Sequence, residues 1–325
     1  MINNKKIAVV IPAFKAENHI LEVIEGIPDY IDNIIVIDDK SPDRTKELIK
    51  QLQNSRLVLI EHKTNQGVGA SVITGYKKAL ALKIDIVIKM DSDGQMDPKF
   101  IPELIYPILK GEADYSKGNR FIHEDELLSM PALRKFGNFG LSFLLKIASG
   151  YWNIFDPTNG FTAIEGSIIP KLKLTNLDKR FFFESSMLIE LGIRRAVIKD
   201  VYIPSHYNDN PSSLSEINSL INFPIKILKG LIRRIWVSYF IRDFGLFSIY
   251  LLSGLLLLLF GVLFGAYHWV NSAFNNITTP IGTVMIATLS VILGIQVLLQ
   301  AINLDIQNIP KEPIQNNISY QIFNQ

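Results

Sequence analysis

Asp91-Ser92-Asp93-Gly94-Gln95 directly follows the apolar run Ile84 to Met90. Two carboxylates one residue apart, with a side-chain amide two positions further on, offer oxygen donors of the kind that hold a hard divalent cation while phosphate oxygens complete its shell. If strand alternation continues through the segment, Asp91, Asp93 and Gln95 share one side and converge. The chemistry indicated is a diphosphate site holding Mg²⁺ or Mn²⁺, with those three residues as metal ligands. Asp and Gly are also ordinary turn residues, so the assignment depends on what accompanies the motif.

Its companions are Val9-Val10-Ile11-Pro12-Ala13-Phe14 with Glu17 just beyond, Ile37-Asp38-Asp39 running on to Asp43-Arg44-Thr45, and Asn65-Gln66-Gly67-Val68-Gly69. Further along come Gly118-Asn119-Arg120, Arg134-Lys135-Phe136-Gly137-Asn138 and Asp156-Pro157-Thr158-Asn159-Gly160-Phe161. A dinucleotide fingerprint needs a third glycine where Val72 stands, and it should follow the first strand rather than the third. The chain has no cysteine, which excludes a disulfide framework, thiolate catalysis and Cys-ligated metal centres. A net charge of +2 with no long basic run gives no footprint for nucleic acid.

The elements that must position these groups are legible as alternation. Apolar, β-branched runs at Ile7–Ile11, Ile34–Ile37, Leu57–Ile60 and Ile84–Met90 alternate with helical periodicity at Glu17–Gly26, Asp43–Gln53 and Val68–Leu82. This order predicts an α/β fold with a mainly parallel sheet, its ligands lying beyond the carboxyl ends of the strands. Pro12 to Glu17, Asp38 to Asp43 and Asp91 to Gln95 all fall at such ends.

Taken in order, the motifs of the first half resemble family 2 glycosyltransferases of the GT-A fold. Those of the second half, followed by apolar spans, resemble polyprenyl-phosphate glycosyltransferases of the dolichol-phosphate mannose synthase type. The resemblance implies a membrane-anchored, metal-dependent, inverting hexosyltransferase that moves one sugar from a nucleotide-diphosphate sugar to a polyprenyl phosphate, undecaprenyl or dolichyl. It implies donor binding by Pro12, Phe14, Glu17, Asp39, Asp91 and Ser92, and acceptor-phosphate binding by Arg120, Arg134 and Asn138. Guanidinium groups suit that task because they form forked, charge-assisted bonds to phosphate. Asp93, Asp156, Arg120 and Arg134 are the candidate catalytic residues. Asp156 orients groups if the acceptor is an ionised phosphate, acts as base if the acceptor is a sugar hydroxyl, and belongs to an Asx-type turn if it does neither. Tyr207 to Leu214 departs from the family, whose relatives carry Arg-x-x-Gly-x-Ser-Lys-Leu there; both cationic residues are missing. The Gln-x-x-Arg-Trp motif of processive synthases is absent around Arg233 to Trp236. A glycosyltransferase acting on a glycan or glycolipid hydroxyl, and a non-catalytic nucleotide-sugar-binding scaffold, are the rival readings.

The chain is 48% hydrophobic, with a mean hydropathy of +0.22. All 33 basic and 31 acidic residues fall outside Phe244–Leu304. Within that stretch Leu246–Tyr267 and Ile281–Ile302 are each 22 residues long, about 33 Å as helices against a hydrocarbon core of roughly 30 Å. The segment 268–280 between them has no Lys or Arg, whereas Lys226, Lys229, Arg233, Arg234 and Arg242 precede the first span and Lys311 follows the second. This bias predicts an integral membrane protein of the inner or plasma membrane with the catalytic part and both termini cytoplasmic. The expected organisation is a transferase domain over 1–215, amphipathic juxtamembrane helices over 216–243, two spans within 244–304 and a polar cytoplasmic tail over 305–325. The apolar residues among the basic ones before the first span suit an interfacial helix or one packed on the domain. The spans also offer surface for homo-oligomerisation. Near the start, Ile7–Ile11 is cut by Pro12 and lacks a small-residue cleavage site, so it reads as a strand rather than a signal peptide.

Overall fold

A computed structural model describes residues 2, 4–120, 132–204 and 216–316, of which 132–138 and 216–221 by backbone alone. The chain divides into two units, one formed by residues 1–234 together with 310–325, the other by 235–309.

In the first unit, strands β1 (Ile7–Ala13), β2 (Asn33–Asp38), β3 (Leu57–Glu61) and β4 (Ile86–Lys89) alternate with helices α1 (Ile20–Glu25), α2 (Thr45–Gln51) and α3 (Val68–Ala81). Helix α4 (Ile101–Leu109), β5 (Tyr115–Asn119), α5 (Ala132–Ser149), β6 (Thr162–Glu165), α6 (Phe183–Arg194), β7 (Ile198–Tyr202) and α7 (Glu216–Ile235) follow. The seven strands form one sheet in the order β3-β2-β1-β4-β6-β5-β7. Strand β6 runs antiparallel to both neighbours; every other pair is parallel. The sheet is therefore mainly parallel, as the alternation predicts.

Strand β1 is buried along its whole length, and β2 is buried from Ile34 to Asp38. Covered on both faces, these strands read as continuous apolar runs. Polar and apolar residues do not alternate there for the same reason: one face of β1, with Val9 and Ile11, packs with α1 and α4, while Val10 packs with Val72 and Tyr76 of α3. The strands start and stop close to where the sequence places them, but β4 ends at Lys89. Asp91 to Gln95 is a turn, with Gly94 at φ +75°. The alternation expected to bring Asp91, Asp93 and Gln95 to one side thus does not apply, and any convergence depends on the turn.

Helix α7 is fastened to the domain along one face. Ile227 is buried, Gly230 leaves no room for a side chain beside Ile189, and Lys226 pairs with Asp178 at 2.5 Å. Arg233 reaches Glu190 at 2.8 Å, and buried Arg234 donates to the carbonyls of Ile147 and Ala148, closing the C-terminal end of α5. Ile225, Leu228 and Ile232 remain exposed on α7. After residue 309 the chain rejoins this unit: Asp114, fully buried, accepts the amides of Ile314 and Gln315 at 2.9 and 3.0 Å. The polar tail expected from the sequence is, over these residues, a docked segment.

The second unit contains α8 (Leu246–Phe274) and α9 (Ile281–Gln307). Both are long and apolar enough to cross a membrane, and both run further than the 22-residue spans marked in the sequence. They are not core helices: Leu256 is 68% and Ile281 80% exposed. They pack on each other through Gly254, Gly261 and Gly294. The one acidic residue of this pair, Asp305, is buried and accepts a hydrogen bond from Tyr239 Oη at 2.5 Å.

Candidate active site

Three groups of polar residues meet at the carboxyl ends of β1, β2, β4 and β5. At the first, Pro12 is buried in β1 and Phe14 just beyond is 45% exposed. Glu17 accepts from the Arg44 amide at 3.2 Å, and Asp43 accepts from the Glu17 amide at 3.3 Å and the Thr45 hydroxyl at 2.7 Å. Although burial opposes it, these bonds hold the Asp43 carboxyl below the ordinary range.

Asp39 is buried, and its carboxylate accepts the amides of Gln66 and Gly67 at 2.8 and 2.7 Å and His62 Nδ1 at 2.7 Å. The resemblance implies a donor-binding role for this side chain; in the structure its carboxylate also secures the loop leading into α3. That loop depends on Gly67, whose φ of +98° suits glycine and whose Cβ would lie 2.4 Å from the Lys179 carbonyl.

In the second group, Asp91 Oδ1 lies 2.8 Å from Lys89 Nζ, which also contacts Glu184 Oε1 at 2.7 Å. Lys89 is 2% exposed. Burial pulls its ammonium down, but the Asp91 and Glu184 carboxylates outweigh this and hold it above its usual range. Asp93 stands at the accessible lip of the turn and accepts the Gln95 amide at 3.1 Å. The protein packed behind it, and then the Asp91 charge, push the Asp93 carboxyl upward. Ser92 and Gln95 are half-buried in the same turn.

The third group was not assembled by sequence reasoning. Asp156 is fully buried and receives a forked pair from Arg120, Nε to Oδ2 at 2.7 Å and Nη2 to Oδ1 at 3.0 Å. Lys117, 1% exposed on β5, donates to the Asn159 carbonyl. Burial pulls its ammonium down to about 8, against the opposing charges of Asp156, Glu184 and Asp200. Asp200 on β7 accepts Asn119 Nδ2 and the Phe155 amide, both at 2.9 Å. Gly160 joins this group to the second: a Cβ there would lie 2.4 Å from Lys89 Nζ and 2.7 Å from Asp91 Oδ2. The Asp156 to Gly160 loop is therefore pressed between the acidic turn and the guanidinium fork.

Arg134 and Asn138 lie on the backbone of α5, and their side chains, like the segment Tyr207 to Leu214, fall outside the described residues. Lys89, Lys117, Glu184 and Asp200 were missed. Only Lys89 carried a signal in the sequence, as the single charge inside the apolar run Val87 to Met90.

The donors around Asp91 are suited to a divalent cation. They are two carboxylates close enough for one to raise the other, with Lys89 on Oδ1 of Asp91. Among the described residues no cluster of three acidic or His side chains forms a closed metal cage. That is the kind of site in which one or two carboxylates share Mg²⁺ or a similar ion with substrate phosphates.

A mainly parallel α/β sheet with acidic groups gathered at the carboxyl ends of its strands defines a GT-A-like transferase domain. The chain belongs to glycosyl transferase family 2, whose model matches residues 8–172. It is 34% identical over 219 residues to a UDP-N-acetylglucosamine–dolichyl-phosphate N-acetylglucosaminyltransferase of Methanococcus voltae, covering 61% of this chain and 87% of that one. To a dolichol-phosphate mannosyltransferase of Pyrococcus furiosus it is 29% identical over 205 residues, 61% of this chain and 55% of that protein. Among solved structures, glucosyl-3-phosphoglycerate synthase from Mycobacterium tuberculosis with UDP shares the fold at TM-score 0.53 and 22% identity, over 71% of this chain and 80% of that one. The same enzyme with Mn²⁺, UDP and glucosyl-3-phosphoglycerate superposes at TM-score 0.52 and 21% identity, with the same coverage.

Proposed function

We propose that this chain is a membrane-anchored inverting glycosyltransferase that moves a single hexose from a nucleotide-diphosphate sugar to a polyprenyl phosphate. The observation that carries the acceptor is the state of Asp156. It is fully buried, with both oxygens engaged by Arg120, a poor arrangement for a base that must reach and take a proton. A phosphate monoester is already ionised near neutral pH and needs no base. The names of the Methanococcus and Pyrococcus relatives point to the same acceptor class.

In this reading the clusters at the ends of β1 and β2, with Pro12, Phe14, Glu17 and Asp39, shape the nucleoside site. Asp91, Asp93 and Gln95 would hold Mg²⁺ or Mn²⁺, with Ser92 in the same turn binding the donor. A bound cation would supply positive charge to offset that of the departing nucleoside diphosphate. Asp156 fixes the plane of the Arg120 guanidinium, and Arg120, with Arg134 and Asn138 on α5, binds the lipid phosphate beside the anomeric carbon. The phosphate oxygen attacks from the face opposite the leaving group, which inverts the anomeric configuration.

The transferase domain, α7 and the docked segment around Ile314 face the cytoplasm in this proposal. Supporting this, the chain leaves the first unit after residue 234, passes through two helices able to span, and rejoins it at 310. The intervening 268–280 carries no Lys or Arg. The exposed Ile225, Leu228 and Ile232 of α7 suit contact with the inner leaflet. The test is to incubate the purified chain with a panel of nucleotide sugars and undecaprenyl or dolichyl phosphate and to identify the product by mass spectrometry. A mono-glycosylated polyprenyl phosphate is expected; no lipid product with any donor, alongside transfer to a glycan, would replace this reading.

A further inference from the structure

We infer that Asp200 is a positioning residue of the transfer reaction: one of its oxygens holds the residues immediately before Arg120 and Asp156, and so sets the fork between them. The inference rests on the reading that this fork faces the acceptor. Residue 200 lies outside the part of the chain matched by the family model, and no motif in the sequence singles it out.

Strand β7 pairs in parallel with β5, placing Asp200 opposite Lys117 and Tyr202 opposite Asn119. From there Asp200 Oδ2 accepts Asn119 Nδ2 at 2.9 Å and the backbone amide of Phe155 at 2.9 Å. Asn119 is one peptide bond from Arg120, and Phe155 one from Asp156. A strand end and a loop distant in sequence are thus referenced to a single atom. The fork needs that reference because it has tight geometry, 2.7 and 3.0 Å at its two prongs, and planar guanidinium–carboxylate pairs are strong only when both partners are held in register.

The two oxygens of Asp200 do different things. Oδ2 has both lone pairs used, whereas Oδ1 is buried with no hydrogen-bond partner among the described residues. Burial pushes this carboxyl up to about 6; the Phe155 amide and Lys117 oppose the rise and Asp156 adds to it. A proton on Oδ1 leaves the Oδ2 bracket in place. An asparagine does the same, its amide oxygen taking both hydrogen bonds and its nitrogen standing at the Oδ1 position. The bracket therefore requires an acceptor atom at Oδ2 and does not require the charge.

The experiment uses the full-length chain in detergent or nanodiscs, with steady-state kinetics over polyprenyl phosphate and, separately, the affinity for the donor's nucleoside diphosphate. Asp200→Ala is expected to lower kcat/KM for the acceptor by about tenfold or more, a misplaced-group effect, with nucleotide affinity changed less than about twofold. Asp200→Asn is expected to return acceptor kinetics to within about threefold of the parent. Asn119→Ala removes one arm from the other side and is expected to give the same acceptor-specific defect in milder form, so the inference stays testable if Asp200→Ala does not fold. Asparagine as damaging as alanine, equal loss of nucleotide affinity and acceptor kinetics, or normal acceptor kinetics in a folded Asp200→Ala or Asn119→Ala would each overturn the bracket. If the parent chain glycosylates a hydroxyl instead of a lipid phosphate, the acceptor reading fails by itself, and the same three variants are scored on that acceptor.

Discussion

Arg120 grips Asp156 in a fork, Nε to Oδ2 at 2.7 Å and Nη2 to Oδ1 at 3.0 Å, with the carboxylate fully buried and the guanidinium side chain 30% exposed. In the proposed reading this carboxylate orients its partner. Asp156→Asn keeps an acceptor oxygen and is expected to reduce turnover less than about tenfold with an unchanged pH profile, whereas loss of an essential base costs on the order of 10²- to 10⁴-fold. Asp156→Ala removes both bonds to a guanidinium that water still reaches and should destabilise the domain by about 1.5 to 3 kcal/mol. Comparing kcat against pH for the asparagine variant with its melting temperature separates the two roles; a new pH dependence with a severe rate defect would mark Asp156 as a base.

Burial against the protein behind it, and then the Asp91 charge, push the Asp93 carboxyl upward. A cation bound between them relieves that repulsion. Asp93→Asn is therefore expected to nearly abolish transfer and to weaken Mn²⁺-dependent nucleotide binding, with membrane insertion intact. EDTA should imitate the variant and added Mn²⁺ or Mg²⁺ should reverse it. Mn²⁺-dependent nucleotide binding and turnover of parental strength in the variant would remove Asp93 from the ion.

Strands β1 to β4 were legible because they lie buried in the sheet or along its edge as runs of Ile, Val and Leu. Strands β5, β6 and β7 were not. Tyr115-Ser116-Lys117-Gly118-Asn119, Thr162-Ala163-Ile164-Glu165 and Ile198-Lys199-Asp200-Val201-Tyr202 carry charges that break the apolar pattern, and of these Lys117 and Asp200 act on each other inside the domain. Asp91, Asp93 and Arg120 could be found as local motifs. The partnership of Arg120 with Asp156, and of Asp200 with Asn119 and Phe155, joins residues 36, 81 and 45 positions apart, and no local pattern encodes it. The docking of Ile314 on Asp114, across 200 positions, was hidden for the same reason.

Lys117 gives a pH dependence with a definite sign. Burial pulls its ammonium down to about 8, below the roughly 10.4 of an exposed lysine. Between those values the unfolded chain binds more protons than the folded one, so this residue's contribution to stability rises with pH there and is flat below about 8. The melting temperature of the parent relative to Lys117→Met should therefore move in the parent's favour between about pH 8 and pH 10. A difference that stays constant or moves the other way would contradict the buried ammonium.

The chain's lack of cysteine makes its topology easy to read. A cysteine replacing Asn271 is expected to react with a membrane-impermeant maleimide added to intact cells, and one replacing Glu312 only after the membrane is opened. Labelling at 312 from outside would contradict a hairpin with both ends cytoplasmic.

The nature of the acceptor is tested most directly by offering the purified chain the same lipid in two forms, polyprenyl phosphate and the free polyprenol, with its preferred nucleotide sugar and Mn²⁺. A phosphate nucleophile steered by Arg120 and needing no base gives sugar transfer to the phosphate alone, with the alcohol neither glycosylated nor strongly inhibitory. Transfer to polyprenol, or to a glycan hydroxyl at a comparable rate, would contradict it.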